Sequence, residues 1–328
     1  MERNLKRKHP VLHVAFKTVL ILLLSVIMIL VLIVSLWNGL KYLVYRDYYA
    51  VSKVLRNNPG LNDGYVTQGN CYYEKDDIFL TSGYMKNKNL ASRIYSVNKD
   101  NKTFFTSVYE DENTLCNLHF GGMTYHDNYF FVASDSKLIA LNKDDVLNKE
   151  KSIIQYRIDV NNQASFVFSD DNYFYVGEFN DSKQYKTNNH EKINDSLTYH
   201  AIISKYDAKS IKEGATPVLK EIYHIRDQVQ GVCITDSSRI VLSTSWGLSP
   251  SKFYVYNAPT KVARTDENNI PHYYLDDSLL ADVIEGPSMA EDLDYHDGRV
   301  ITSSESASNK YIFGKLFFYN KIEGLLIG

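Results

Sequence analysis

Cysteine is scarce in this chain. Its 328 residues contain Cys71, Cys116 and Cys233, and so small and odd a number excludes a disulfide framework, leaving the core to stabilise the fold unaided. An excess of basic charge is also missing. The formal net charge is -3, which offers no electrostatic footprint for nucleic acid and excludes it as an expected partner. No Gly-x-Ser-x-Gly elbow and no Cys-x-x-Cys spacing occur, so neither a serine-hydrolase signature nor a cysteine zinc motif can be read. Tryptophan is nearly absent, with 2 residues against 26 Tyr and 15 Phe. Those aromatics alternate with polar residues, which suits a pleated, half-buried surface and favours an all-β fold.

A long apolar run is present. Arg3, Lys6, Arg7, Lys8 and Lys17 precede a stretch from Val19 to Trp37 that carries no charge and is mostly Leu, Ile and Val. About 19 residues at helical rise span roughly 28 Å, close to the hydrocarbon thickness of a bilayer. This run exceeds the usual h-region of a signal peptide, and no small-x-small cleavage site follows it. Trp37, Tyr42, Tyr45, Tyr48 and Tyr49 come next, mixed with Lys41 and Arg46, in the manner of an interfacial aromatic belt. The expected organisation is a basic cytoplasmic tail (1–18), a transmembrane helix (19–37) in the lipid bilayer, a juxtamembrane segment (38–47) and an extracytoplasmic domain (48–328). The protein would then be a single-pass cell-membrane protein with its N-terminus cytoplasmic, an uncleaved anchor being favoured over a cleaved signal peptide.

The remainder repeats itself. Ser92–Asn98 (Ser-Arg-Ile-Tyr-Ser-Val-Asn) is echoed by Ser136–Asn142, Ala201–Asp207, Ser251–Asn257 and Gly314–Asn320. Each copy is a run of strand length closed by Asn or Asp, residues that readily start turns. Hairpins lie upstream, with turns at Glu74–Asp77, His126–Asn128, Asp170–Asn172, Asp236–Ser238 and His296–Gly298. Asp-Asn and Asp-Gly between apolar strands are tight-hairpin chemistry, because those residues tolerate positive φ. Fourth strands are expected at Thr103–Tyr109, Ile153–Val160, Val218–Ile225 and Ile270–Leu275. Four antiparallel strands recurring every ~45–65 residues are the signature of β-propeller blades. The fifth unit lacks a fourth strand of its own, and Tyr48–Leu55 is expected to close it. This gives five blades, or six if 258–287 holds an irregular extra one.

On these hairpin and strand motifs the chain resembles bacterial secreted and membrane-anchored β-propellers. More distantly it resembles the gluconolactonase, paraoxonase and strictosidine-synthase-like propellers, over about residues 48–328. In a propeller blade, the loop entering the innermost strand and the loop leaving the second strand share one face. That rule gathers Gln68, Gln230 and Glu291 at the channel mouth with Ser82, Asp135, Glu178, Trp246 and Glu305, and it puts the insertion Asn180–His200 beside them. His126, Asp127, His296 and Asp297 fall on the opposite face as turn residues. Cys71 and Cys233, each two residues after a glycine, belong to non-neighbouring blades and read as small buried residues rather than a disulfide.

The expected binding set is therefore Gln68, Gln230, Glu291, Glu305, Glu178 and Trp246, taking an extracellular peptide, glycan or protein ligand and needing no cofactor. The resemblance implies an alternative, a calcium-dependent lactonase or esterase-like hydrolase with its metal on Glu291 and Glu305. Gly121 and Ala164 in the other two blades make that oxygen ring thin for a hard cation.

Overall fold

The structure is a computed structural model that describes residues 10–187, 191–194, 197–311 and 321–327. The chain divides into two units, Met1–Arg46 and Asp47–Gly328. The first holds helix α1 (Pro10–Val44). Within it His13–Val44 is long and apolar enough to cross a membrane, and most of its Leu, Ile and Val side chains are exposed. The helix ends at Val44, seven residues beyond the apolar core at 19–37.

The second unit is mostly β. A short helix, α2 (Arg46–Val51), leads into β1 (Ser52–Asn57). The first meander is β2 (Tyr65–Tyr73), β3 (Ile78–Met85), β4 (Arg93–Val97) and β5 (Thr103–Tyr109). A second follows as β6 (Met123–His126), β7 (Tyr129–Ser134), β8 (Lys137–Asn142), helix α3 (Lys143–Asn148) and β9 (Lys151–Asp159). The third comprises β10 (Ala164–Ser169) and β11 (Tyr173–Glu178), an inserted hairpin of β12 (Glu191–Asn194) and β13 (Leu197–Tyr199), then β14 (Ala201–Asp207) and β15 (Leu219–Ile225). The fourth is β16 (Val229–Ile234), β17 (Ile240–Thr244), β18 (Ser251–Tyr256), an insertion of β19 (Arg264–Thr265) and β20 (Pro271–Tyr274), and β21 (Leu280–Gly286). The fifth is β22 (Ala290–His296), β23 (Arg299–Ser304) and β24 (Lys321–Leu326).

Within each meander neighbours pair antiparallel, and β24 pairs with β1 from Ser52↔Leu325 to Asn57↔Lys321. One strand from the start of the unit thus completes the sheet at its end and removes an open edge. The strand that does so is Ser52–Asn57 rather than Tyr48–Leu55, because Arg46–Val51 is helical. The third strand of this last sheet is Lys321–Leu326, while the expected copy Gly314–Asn320 lies outside the described residues. The first strands β2, β6, β10, β16 and β22 pack against one another in circular order, an arrangement consistent with a β-propeller.

Residues 258–287 do not form a separate four-stranded sheet among the described residues. Pro271–Tyr274, in the stretch expected to be the fourth meander's last strand, instead pairs parallel with β15 and extends the third sheet. Leu280–Gly286 takes the fourth-strand position. The reason is local: Tyr223 stacks on Tyr273 and His224 on His272 across this parallel pair, contacts that no sequence repeat encodes.

Packing between sheets is apolar. Phe131, Leu138, Val167, Phe174 and Val176 fill the space between the second and third meanders, and Cys71, Leu80, Phe120, Met123 and Phe130 that between the first and second. Each such side chain contributes on the order of 1.5–3 kcal/mol through burial. Cys71, Cys116 and Cys233 are buried free thiols, and burial pushes the Cys116 thiol up to about 12.

Candidate functional site

The residues that enter the innermost strands are placed by a repeated backbone irregularity. The pairing of β2 with β3 slips between Thr67 and Gly69, that of β10 with β11 between Ala164 and Phe166, that of β16 with β17 between Val229 and Gly231, and that of β22 with β23 between Ala290 and Leu293. The extra residues are Gln68, Ser165, Gln230, and Glu291 with Asp292. A bulge leaves its extra residue outside the ladder and re-aims its side chain. Here Gln68, Ser165, Gln230 and Glu291 all line one cleft of about 780 Å³. In the third meander the bulged residue is Ser165, one place after the Ala164 expected from the repeat, and both line the cleft.

Glycines make the close approach of these strands feasible. A Cβ on Gly69 would sit 2.6 Å from the Gly121 carbonyl oxygen, and one on Gly231 would sit 2.5 Å from the Leu293 nitrogen. Ser82 donates to Gly121 O at 2.6 Å, and its counterpart Ser243 donates to Glu291 O at 2.7 Å. Ser82 is fully buried and holds neighbouring sheets together rather than facing the cleft.

One wall is a polar network. Tyr311 donates to Glu305 Oε1 at 2.8 Å, and Gln68 Nε2 donates to Glu305 Oε2 at 3.1 Å. Gln68 Oε1 is 2.8 Å from His119 Nε2. Tyr84 packs against His119 with ring centres 4.4 Å apart and the planes tilted by 49°, and it receives a hydrogen bond from Lys310 Nζ. Solvent reaches the His119 ring, yet the surrounding walls desolvate it and Lys310 adds repulsion, so its pKa is lowered. Neutral His119 therefore donates from Nε2 to Gln68. Another part of the lining is aromatic: Phe179 lies 5.6 Å from Trp246, and Tyr185 meets Trp246 edge-on at 6.2 Å.

Glu291 differs from every other polar group here. It is 3% exposed, lines the cleft, and its carboxyl accepts no hydrogen bond among the described residues. Burial raises its pKa well above the usual carboxylate range, reinforced by Glu305 and Asp292. Burial likewise raises Glu305, against the opposing effects of Tyr311, Lys310 and Gln68.

The predicted set divides. Gln68, Gln230, Glu291, Glu305 and Trp246 converge on the cleft, joined by Asp135. Glu178 does not: it is fully buried and accepts the backbone N–H groups of Gln163 at 2.9 Å and Ile202 at 3.2 Å, so it is a structural acceptor. Its position after a second strand fitted the rule, but the missing N–H partners of a strand end were invisible in sequence. The insertion contributes Tyr185 to the cleft, whereas Glu191 and Tyr199 pack against Arg264 and Tyr274 instead. His119, Lys310 and Tyr185 were missed, because each lies in an irregular connection that no repeat aligns. His126, Asp127, His296 and Asp297 sit at hairpin turns, with Asp127 and Asp297 at positive φ of 55° and 48°.

Calcium takes six to eight oxygen ligands. Glu305 has both oxygens engaged, Gln68 Oε1 faces His119, and the Lys310 ammonium acts on both Glu291 and Glu305. These residues do not fit a calcium cage.

No family model matches the chain, and no curated protein matches it. Among solved structures it is similar to the Myxococcus xanthus glutaminyl cyclase, with 8% identity over 77% of this chain and 91% of that one and a TM-score of 0.43. The PQQ-bound aldose sugar dehydrogenase of Streptomyces coelicolor shares 14% identity over 77% of this chain and 78% of that one, with a TM-score of 0.43. A Thermus thermophilus protein described as a putative oxidoreductase (glucose dehydrogenase) shares 10% identity over 84% of this chain and 99% of that one, with a TM-score of 0.42.

Proposed function

We propose that the second unit is a five-bladed β-propeller, held outside the cytoplasm by α1 as a membrane anchor, and that it binds a short saccharide in the cleft. The observation that carries the binding reading is Glu291, a buried carboxyl without a hydrogen-bond partner among the described residues, lining a cleft in which Gln68, Glu305 and Lys310 are already bonded to protein groups. Leaving such a group unmatched is costly, and a ligand hydroxyl would relieve that cost.

Saccharide chemistry fits the lining. Gln230, Gln163, Asp135 and Glu291 supply donors and acceptors, and Trp246 with Tyr185 supplies faces on which the apolar side of a sugar ring can lie. A volume of about 780 Å³ lies within the range of small-molecule sites. The anchor reading rests on the apolar length of His13–Val44 and on the basic residues that precede it.

Trp37 and Trp246 are the chain's tryptophans, so Trp37→Phe leaves Trp246 as the sole indole fluorophore. Titrating this full-length variant in detergent with a panel of mono- to trisaccharides should shift its emission saturably for at least one class. Glu291→Ala should weaken that response at least tenfold. A panel that never perturbs Trp246, or a response indifferent to Glu291, would refute the reading.

A further inference from the structure

Away from the cleft, the two insertions meet. Glu191 on β12, His224 on β15 and His272 on β20 each present one ligand atom, and these atoms all lie within 4.8 Å of one another. His224 Nε2 and His272 Nδ1 are 2.9 Å apart, and Glu191 Oε2 is 3.8 Å from His224 Nε2. Both histidines are buried, at 3% and 5% exposure. Glu191 is partly exposed and leaves a way in.

We propose that Glu191, His224 and His272 form a binding site for a divalent transition metal of the zinc class, clamping the inserted hairpin β12–β13 and the insertion β19–β20 to the edge of the third sheet. Two imidazoles and a carboxylate are donors that zinc accepts, in a tetrahedral arrangement with a fourth position for water. Ligand atoms around such an ion at 2.0–2.2 Å are spaced at roughly 3.3 Å, and the separations of 2.9 and 3.8 Å bracket that value.

The surroundings match what orients metal ligands. His272 Nε2 lies 3.7 Å from Asp266 Oδ2, beyond hydrogen-bond distance, and the carboxylate's charge favours the proton on that nitrogen, with Nδ1 left as the ligand atom. Arg264 holds Glu191 Oε2 from Nη2 at 2.6 Å and from Nε at 3.0 Å, and Tyr274 reaches Oε1 at 3.5 Å. A hydrogen bond behind a ligand, as from Tyr274, is the usual means of fixing it, whereas Arg264 is a cation that competes with a metal for Oε2. With the His272 proton on Nε2, His224 Nε2 is the donor to His272 Nδ1 when no metal is bound. Metal binding moves that proton to His224 Nδ1, a buried atom now without a partner. The alternative is a metal-free hydrogen-bonded histidine pair beside an Arg–Glu ion pair. That arrangement explains the 2.9 Å contact but gives no reason for three donor atoms from three chain segments to converge.

The test uses the full-length protein in detergent, stripped with chelator and dialysed against zinc, with cobalt as a spectroscopic probe. One zinc per chain and tetrahedral cobalt bands are expected. His272→Ala and Glu191→Gln should each lower affinity at least tenfold, with circular dichroism confirming the fold; the partly exposed Glu191 is the safer of the two. Arg264→Met, which frees the carboxylate from a competing cation, should leave affinity equal or raise it. Substoichiometric zinc, or binding unchanged in both ligand variants, would overturn the proposal.

Discussion

The carboxylate of Asp292, in the fifth meander, accepts the backbone N–H of Met123, in the second, at 2.9 Å. The same oxygen lies 3.4 Å from the Asn70 nitrogen in the first meander, and Asn70 Nδ2 donates back to the Asp292 carbonyl at 2.7 Å. One side chain therefore ties three of the inner strands together around the axis.

Asp292→Ala would strand the buried Met123 and Asn70 N–H groups, each worth about 1–3 kcal/mol when left unpaired. The expected loss is ~2–5 kcal/mol in urea unfolding. Asp292→Asn keeps an acceptor oxygen and should lose less than half as much. Equal losses in the two variants would show that charge, not the N–H partner, matters at this position.

Closure by β1 makes a separate prediction. A protein beginning at Asp47 keeps the Ser52–Leu325 to Asn57–Lys321 ladder and should be monomeric and protease-resistant. One beginning at Asn58 exposes the β24 edge and should aggregate or be cleaved within the last sheet. Limited proteolysis and size-exclusion chromatography distinguish them. Full resistance of the shorter protein would mean that the last sheet is stable without its fourth strand.

The repeat made much of this legible. Asp-Asn and Asp-Gly turns between apolar runs marked the hairpins, and aligning copies placed Gln68, Gln230 and Glu291 at equivalent positions before the structure showed them at equivalent bulges. What stayed hidden depended on tertiary contact. Glu178 shares the type and position of a site residue but is used up by two backbone N–H groups. The Glu191–His224–His272 cluster spans 82 residues of chain, from 191 to 272, and has no short spacing to reveal it. Tyr223 and Tyr273 drew β20 into the third sheet, against a strand assignment that followed sequence order.

Gly231→Ala tests the packing around the axis. The added Cβ would stand 2.5–2.8 Å from backbone atoms of Leu293 and Asp292, which cannot rotate away. Overpacking of this kind typically costs ~1–3 kcal/mol. Gly214→Ala, with nothing within 4 Å but a φ of +69°, isolates the conformational cost alone. Gly231→Ala should be the more destabilising in thermal unfolding, and the reverse order would place the strands further apart than described.

Two buried groups pull the pH dependence of stability in opposite directions. Burial raises the Asp294 carboxyl to about 6, against the opposing hydrogen bonds from Tyr72 N and Tyr295 N. The folded protein then binds that proton more tightly than the unfolded chain, whose aspartates titrate near ~4. Its contribution is therefore fully present below pH ~4 and is lost as pH rises through 6, by ~3 kcal/mol. Burial lowers His224 from an ordinary value of 6.5 to about 4. The fold favours its neutral form, so that contribution is present above 6.5 and is lost as pH falls through 4, again by ~3 kcal/mol. In the presence of chelator the two oppose each other between about pH 4 and 6.5, Asp294 being joined by the raised carboxyls of Glu291, Asp292 and Glu305 and His224 by the lowered imidazoles of His119 and His272. His224→Gln removes one arm. Relative to the parent protein, its stability in urea unfolding should fall as pH rises from about 4 to 6.5, by the amount that His224 contributed; parallel profiles for the two proteins would show that the fold does not hold His224 neutral.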